Sequence, residues 1–389
     1  MSQLLESRLS ETKEALLEGL QGNKRSVMAT TLENTRKYLS ESATAGATSA
    51  GNVATLNRVI LPVIRRVMPT VIANELVGVQ PLTGPVGQIH TLRVRYSDTF
   101  TGSAGGSTTA GEEALSPFKI AEGYSGATTG KPASTAALEG VAGNKLSIQI
   151  LKQTVEAKTR KLSARWTFEA AQDAQAQQGI DIEAEIMAAL AQEITAEIDQ
   201  EVLRSLASLS STVLTYDQAA VSGTATFVGD EHAALAVQIN RAANLIAQRT
   251  RRGAGNWAVV SPTTLTLLQS ATTSAFARTT EGTFEAPTNT KFVGTLNSAM
   301  KVYVNTYAEN DNVLVGYKGG SESDAAAFYC PYIPLMSSGV VLDPSTFEPV
   351  VSFMTRYGYV ELTNTASSLG NAADYLATVA VTSANLRFA

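Results

Sequence analysis

Ile182, Ile186, Leu190, Ile194, Ile198, Val202 and Leu206 recur at steps of four. That spacing lays one continuous apolar stripe along a helix over 180–209. Glu183, Glu193, Glu197, Asp199 and Glu201 lie mostly off it. At ~1.5 Å per residue the helix is about 45 Å long, long for a globular domain and suited to a structural spine. Other elements must be laid against so much apolar surface.

Two alternating stretches come before it. Leu92, Val94 and Tyr96 alternate with Arg93 and Arg95, and Leu146, Ile148 and Ile150 point one way further on. A period of two indicates strands with one wet face. The stretch between them, about 97–143, is rich in Gly, Ser, Thr and Ala, so the pair reads as a long hairpin with a pliable tip. Such a ribbon is marginal alone in water and needs another surface to lie on.

Leu5, Leu9, Leu16 and Leu20 predict an amphipathic helix over 3–20, and Val27, Thr31, Leu32, Thr35 and Leu39 a second after Gly22-Asn23. Residues 42–55 have linker composition, so the first 41 residues read as an arm. A further helix is expected from Asp230, a plausible N-cap, through Leu235, Ile239 and Leu245, stopped by Gly253. Short strands follow at Val302–Val304, Val313–Val315, Ala327–Tyr329 and Val350–Tyr359. Partly segregated helices and strands favour an α+β architecture. No repeat of 20–50 residues is visible.

At ~150 residues per domain, 389 residues suggest two or three units. The net charge is −5, from 30 Lys+Arg against 35 Asp+Glu, which argues against DNA condensation. Cys330 is the single cysteine, so an intrachain disulfide and a cysteine metal cluster are excluded. The N-terminal stretch carries Glu6, Glu11, Glu14 and Glu18 and no long apolar run. It reads as neither a secretory signal nor a transit peptide. No run approaches ~18 apolar residues, so no membrane span is expected.

Catalytic constellations are missing from the pattern. His90 falls in an alternating strand and His232 at a helix start. The phrase 125–132 imitates a phosphate-binding loop, but Ser125 replaces its first glycine and Pro132 its magnesium-binding hydroxyl. The carboxylates of 181–201 lack the histidine that helical metal sites usually include. Arg249, Arg251 and Arg252 serve equally well as cations in a last helical turn. No enzymatic activity, cofactor or metal is expected.

Five phrases stand in order: Leu61-Pro62-Val63-Ile64-Arg65-Arg66-Val67-Met68-Pro69, Gly78-Val79-Gln80-Pro81-Leu82-Thr83-Gly84-Pro85-Val86-Gly87-Gln88, Asn256-Trp257-Ala258-Val259-Val260-Ser261-Pro262, Tyr329-Cys330-Pro331-Tyr332-Ile333-Pro334-Leu335 and Thr355-Arg356-Tyr357-Gly358. Together they resemble the major capsid protein family of T-even-like tailed bacteriophages. The resemblance implies a Hong Kong 97-like fold: an N-terminal arm at 1–70, an extended loop hairpin at 85–160, a peripheral domain with the spine helix at 161–224, an axial domain at 225–345, and a return to the peripheral domain at 346–389. It implies a virion protein, assembled in the bacterial host cytoplasm, that joins copies of itself into hexamers and pentamers of an icosahedral shell around phage DNA. Scaffold, portal and maturation protease are the implied partners, DNA is met only by non-specific proximity, and no membrane is involved.

Within that reading, the hairpin lies across an adjacent subunit. Arg93, Arg95, Lys158 and Arg160 then face spine carboxylates such as Glu183, Glu193, Glu197 and Glu201. The family's protease tends to cut after an apolar-x-Glu triplet, which Leu39-Ser40-Glu41 fits, placing a cut between Glu41 and Ser42. An encapsulin-like nanocompartment shell is the alternative reading.

Overall fold

The computed structural model describes residues 17, 22–44, 72–102, 106–114, 121–178, 181–210, 213–217, 228–270, 276–278, 291–297, 299–322, 324–346, 348–363 and 371–382. Apart from Leu17, the helix expected over 3–20 lies outside those residues, as does the linker beyond Thr44.

The arm helix α1 spans Gly22–Thr44 and the short α2 spans Ala73–Leu76, followed by β1 at Gly78–Val79. The ribbon pairs β2, Val86–Tyr96, with β3, Leu146–Glu156, antiparallel in unbroken register from Val86↔Glu156 to Tyr96↔Leu146. A short helix α3, Thr135–Leu138, lies in its tip. The chain then leaves the ribbon at Ala157, so Lys158 and Arg160 belong to β4, Lys158–Arg165, in a different sheet.

After helix α4, Phe168–Gln178, the spine helix α5 spans Ile182–Leu209. Asp181 caps it, its side chain accepting from Glu183 N at 3.1 Å, and Glu183 and Glu185 in the first turn suit the positive end of the helix dipole. The apolar stripe is buried from Leu190 to Leu206, as the spacing requires. Ala191, Thr195, Asp199 and Leu203 are buried as well, so the covered face is wider than one stripe and takes in an aspartate expected outside it.

Against the spine lies a sheet of β1, β11 (Ala327–Ser337), β13 (Pro349–Glu361) and β12 (Val341–Leu342) in that order, with β4 pairing β13. Val351, Phe353 and Tyr357 of β13 share one core with Ile194, Ile198 and Val202. Helix α1 packs on β11. Buried Asn34 fixes it there, donating to the carbonyls of Leu82 at 2.6 Å and Tyr332 at 2.9 Å.

The second sheet runs β5 (Val213–Asp217), β14 (Leu376–Thr382), β10 (Val313–Gly316), β6 (Trp257–Val260), β9 (Met300–Val304), β8 (Lys291–Leu296) and β7 (Phe276–Arg278). It divides two cores. Trp257 and Val259 join the first core; Ala258 and Val260 join a second, beneath helix α6, Val228–Thr250, and helix α7, Pro262–Ser270. A strand covered on both faces must be apolar throughout, which accounts for the run Trp-Ala-Val-Val.

Helix α6 ends differently from expectation. Arg251, not Gly253, takes the left-handed position at φ 48°, and its N–H bonds Ala247 O at 2.8 Å. Gly253 serves a close approach instead, since a Cβ there falls 2.6 Å from the Tyr317 ring.

The elements expected of a Hong Kong 97-like fold are thus present: an arm helix, a long ribbon, a spine helix and a second sheet-and-helix unit. The architecture is α+β.

Candidate functional site

Strand β4 runs beside the spine helix, and this adjacency decides where the candidate charges go. Arg160 Nη1 lies 2.7 Å from Glu197 Oε2 and Nη2 lies 2.5 Å from Glu201 Oε2. Arg160 Nε donates to the Tyr357 hydroxyl at 2.6 Å, and that hydroxyl donates to Glu201. Burial on its own works against charge on either side chain. Their bonds to Tyr357 and to each other outweigh it, holding the Glu201 carboxyl below its ordinary range and Arg160 firmly protonated. The pairing assigned to a contact between subunits is therefore made inside one chain for Arg160, Glu197 and Glu201.

The other candidates are dispersed. Lys158 and Glu193 are exposed, and Glu183 is half-buried in the first turn of the spine. Arg93 stands opposite Gln149 in the ribbon, its side chain outside the described residues. Arg95, expected on the wet face, is buried at 6% exposure, because residues 111–114 fold back along the end of β2 and form a bridge at Arg95↔Glu113. Helix α1 continues through Thr44, so Glu41 and Ser42 have helical backbone; their side chains lie outside the described residues.

The ribbon tip is not a slack loop. Tyr96, Phe100, Ala114, Ala121 and Tyr124 form a small core of their own. Tyr124 packs edge-on to Tyr96 and Phe100, with ring centroids 4.6 and 5.9 Å apart. Its hydroxyl donates to Lys145 O at 2.7 Å, and Lys145 N donates to Asp98 Oδ2 at 2.8 Å. Among the described residues, three aromatic side chains and two alanines make this core, too sparse a signal in a Gly/Ser-rich stretch for pattern reading to find.

The ribbon also leaves apolar surface uncovered. Leu146, Ile148 and Ile150 share one face of β3 and are 56, 69 and 65% exposed. At the base, on the opposite face, Val155 is buried in the first core and Ile89 packs against it. The base is docked on the body while the outer half presents bare aliphatic side chains. Alternation was legible in the sequence; which face stays uncovered was not.

His90 is exposed opposite Lys152, while buried His232 meets the Ser270 hydroxyl through Nδ1. Arg252 pairs with Asp324 at 2.7 Å. Burial pushes the Cys330 thiol up to about 12, far from a reactive thiolate. A cleft between spine and second sheet, of about 200 Å³, is lined by Gln200, Arg204, Asn305 and Glu309. These close on one another: the amides of Gln200 and Asn305 exchange bonds at 2.8 and 3.3 Å, and Arg204 meets Glu309 at 2.6 Å.

The family model described as "Major capsid protein Gp23" matches residues 53–382. The chain belongs to that family. Gp23-family relatives include the major capsid protein of Vibrio phage KVP40, 30% identical over 85% of this chain and 82% of that one. Those of Enterobacteria phage T4 and Salmonella phage ViI are also 30% identical, covering 82% and 83% of this chain and 78% and 80% of theirs. Among solved structures, that of Mycobacterium phage Bobi aligns with a TM-score of 0.47 at 13% identity over 79% of this chain and 89% of its own. The capsid of Myoviridae phage XM1 aligns at 0.43 and 9% identity over 79% and 91%. The Gp23 matches name phage capsid proteins, so of the two shell readings left open above, the phage head is the one they support.

Proposed function

We propose that copies of this Gp23-family chain close into an icosahedral shell of hexamers and pentamers around packaged DNA, each ribbon lying across the next copy and no reaction being catalysed. The observation that carries this is the bare face of Leu146, Ile148 and Ile150. A two-stranded ribbon is marginal in water, and burying an aliphatic side chain contributes about 1.5–3 kcal/mol, so the missing contact is a neighbour's surface. Because Arg160, Glu197 and Glu201 already satisfy one another, the contact is chiefly apolar, with charges at its rim.

In this reading 1–70 is the arm, 85–160 the extended loop, 161–224 and 346–389 the peripheral domain and 225–345 the axial domain, although the ribbon itself ends at Ala157 and strands cross these bounds, β5 and β14 joining the second sheet and β11 the first. Assembly takes place in the host cytoplasm with scaffold, portal and maturation protease, and the protease cuts between Glu41 and Ser42 after local unwinding of α1. Electron microscopy of the protein expressed alone tests the shell: closed shells, polyheads or capsomers are expected, and a persistent monomer at high concentration overturns it. The intact mass of the subunit from finished virions tests processing, a full-length mass removing the cut.

A further inference from the structure

The stretch from Ile72 to Val79 lies between the arm helix and the ribbon, and polar ties hold it to four parts of the fold. Glu75 pairs with Lys24 of α1 at 2.6 Å and approaches Lys301 of β9 at 3.7 Å. Lys318 Nζ donates to Asn74 O at 2.8 Å, and Val79 N donates to Glu322 Oε2 at 2.9 Å. These ties are wholly or partly open to water. The remaining one, to the spine, is of another kind.

Ile72 N donates to Asp199 Oδ1 at 2.8 Å. Asp199 is 1% exposed, and its Oδ2 has no hydrogen-bond partner among the described residues. Ile72, which bonds it, and Ile198, Val202 and Leu203, which flank it on the helix, belong to one buried core, and Thr195 one turn back gives its hydroxyl to Ala191 O. An ionised carboxylate in such a place loses its water and gains one amide in return, an unfavourable exchange unless it takes up a proton.

We propose that Asp199 is a protonation-controlled pin: neutral, it lets the Ile72–Val77 stretch close onto the spine helix; ionised, it favours release of that stretch and admits water. This goes beyond the shell reading and does not depend on it. Release loosens the common root of arm and ribbon.

The other titratable groups around the pin do not neutralise it. Tyr329 and Cys330 on β11 and Tyr357 on β13 are themselves kept uncharged by burial. Glu201, two residues along the spine, is committed to Arg160 and Tyr357. Glu75 is committed to Lys24: burial opposes its charge, but that bond and the charges of Lys24, Lys301 and Lys318 hold it below its ordinary 4.5.

Burial pushes Asp199 from its ordinary 3.8 up to about 7. Its folded value is raised, so its contribution to closure is complete below 3.8 and is lost as pH rises to about 7. Glu75 has the opposite sign, weakening the closed form only in acid. Closure is therefore tightest where the two ranges meet, near the ordinary carboxylate values of 3.8 and 4.5.

Amide hydrogen exchange of the full-length protein from pH 5 to 8, corrected for the intrinsic rate, tests this with Glu75 ionised throughout. Protection over 72–77 is expected to fall up to about tenfold per pH unit and to level off above 7, while Cys330 in the neighbouring strand keeps its protection. Asp199→Asn, which retains the acceptor for Ile72 N–H, is expected to abolish the slope. A flat wild-type profile, an unchanged slope in Asp199→Asn, or a parallel fall at Cys330 overturns the proposal. The wild-type comparison with Cys330 decides even if the variant fails to fold.

Discussion

Arg160 and Glu201 meet at 2.5 Å across the seam between the β4 edge strand and the spine helix, with Tyr357 bonded to both. The network ties the sheet to the spine at the point where the chain enters from the ribbon. Its charged members are a third to a half exposed, so each ion pair is worth about 0–1 kcal/mol, and the shared, buried tyrosine raises the value of the set.

Arg160→Ala is expected to destabilise the subunit by about 1 kcal/mol near neutral pH. Glu201 is held below its ordinary value of 4.5, so its contribution is present above that value and is lost as pH falls. The penalty should therefore shrink in acid. Urea denaturation of both proteins at pH 7 and pH 4 checks this, and an equal penalty at the two values refutes the assignment. Arg160→Lys should rescue only part, because an ammonium cannot span both carboxylates in the same plane.

Ile148, at 69% exposure, contributes little to packing within one subunit. Ile148→Lys should leave the melting temperature within about 2 °C, because exposed sites away from special features change stability little. Shell yield should nevertheless fall sharply. Sedimentation and electron microscopy of the assembly reaction give the result, and normal yield would remove the apolar stripe from the contact.

The tip core predicts a graded response at Tyr124. Tyr124→Phe loses the bond to Lys145 O and should cost the tip about 0.5–1.5 kcal/mol. Tyr124→Ala also loses both ring contacts and should cost about 3 kcal/mol or more. Hydrogen exchange over 97–145 is the readout, with the spine unchanged. Wild-type exchange there at the rate of a free chain contradicts a folded tip.

At the ribbon base, a Cβ on Gly358 falls 2.4 Å from Val155 Cγ1 and 3.1 Å from Glu156 O. Gly358→Ala should therefore destabilise by about 1–3 kcal/mol through overpacking. Adding Val155→Ala should recover part of that loss, since it removes the nearer clash. Denaturation midpoints of the two singles and the double reveal the coupling, and strict additivity argues against it.

The spine helix, the paired β2 and β3, the α6 helix and four strands of the last third, β9, β10, β11 and β13, were legible in the sequence, whereas β7, β8, β12 and β14 were not. A repeat of 3.6 or 2 is local information: Ile182 to Leu206 announces a helix whatever packs on it. Local composition was misleading for the tip, where Tyr96, Phe100 and Tyr124 gather from separated positions, and at Gly253, whose role is room for the Tyr317 ring.

The partners of the charges were decided by tertiary structure alone. From its position, Arg160 was equally available to a neighbour or to its own helix; β4 pairing with β13 beside the spine made the choice. Asp199 read as one more polar residue off the stripe until Ile72 returned to cover it. Periodicity assigns a residue to a face, but only the meeting of distant segments determines whether that face is wet, paired or sealed, because burial and ion pairing depend on neighbours that sequence spacing does not specify.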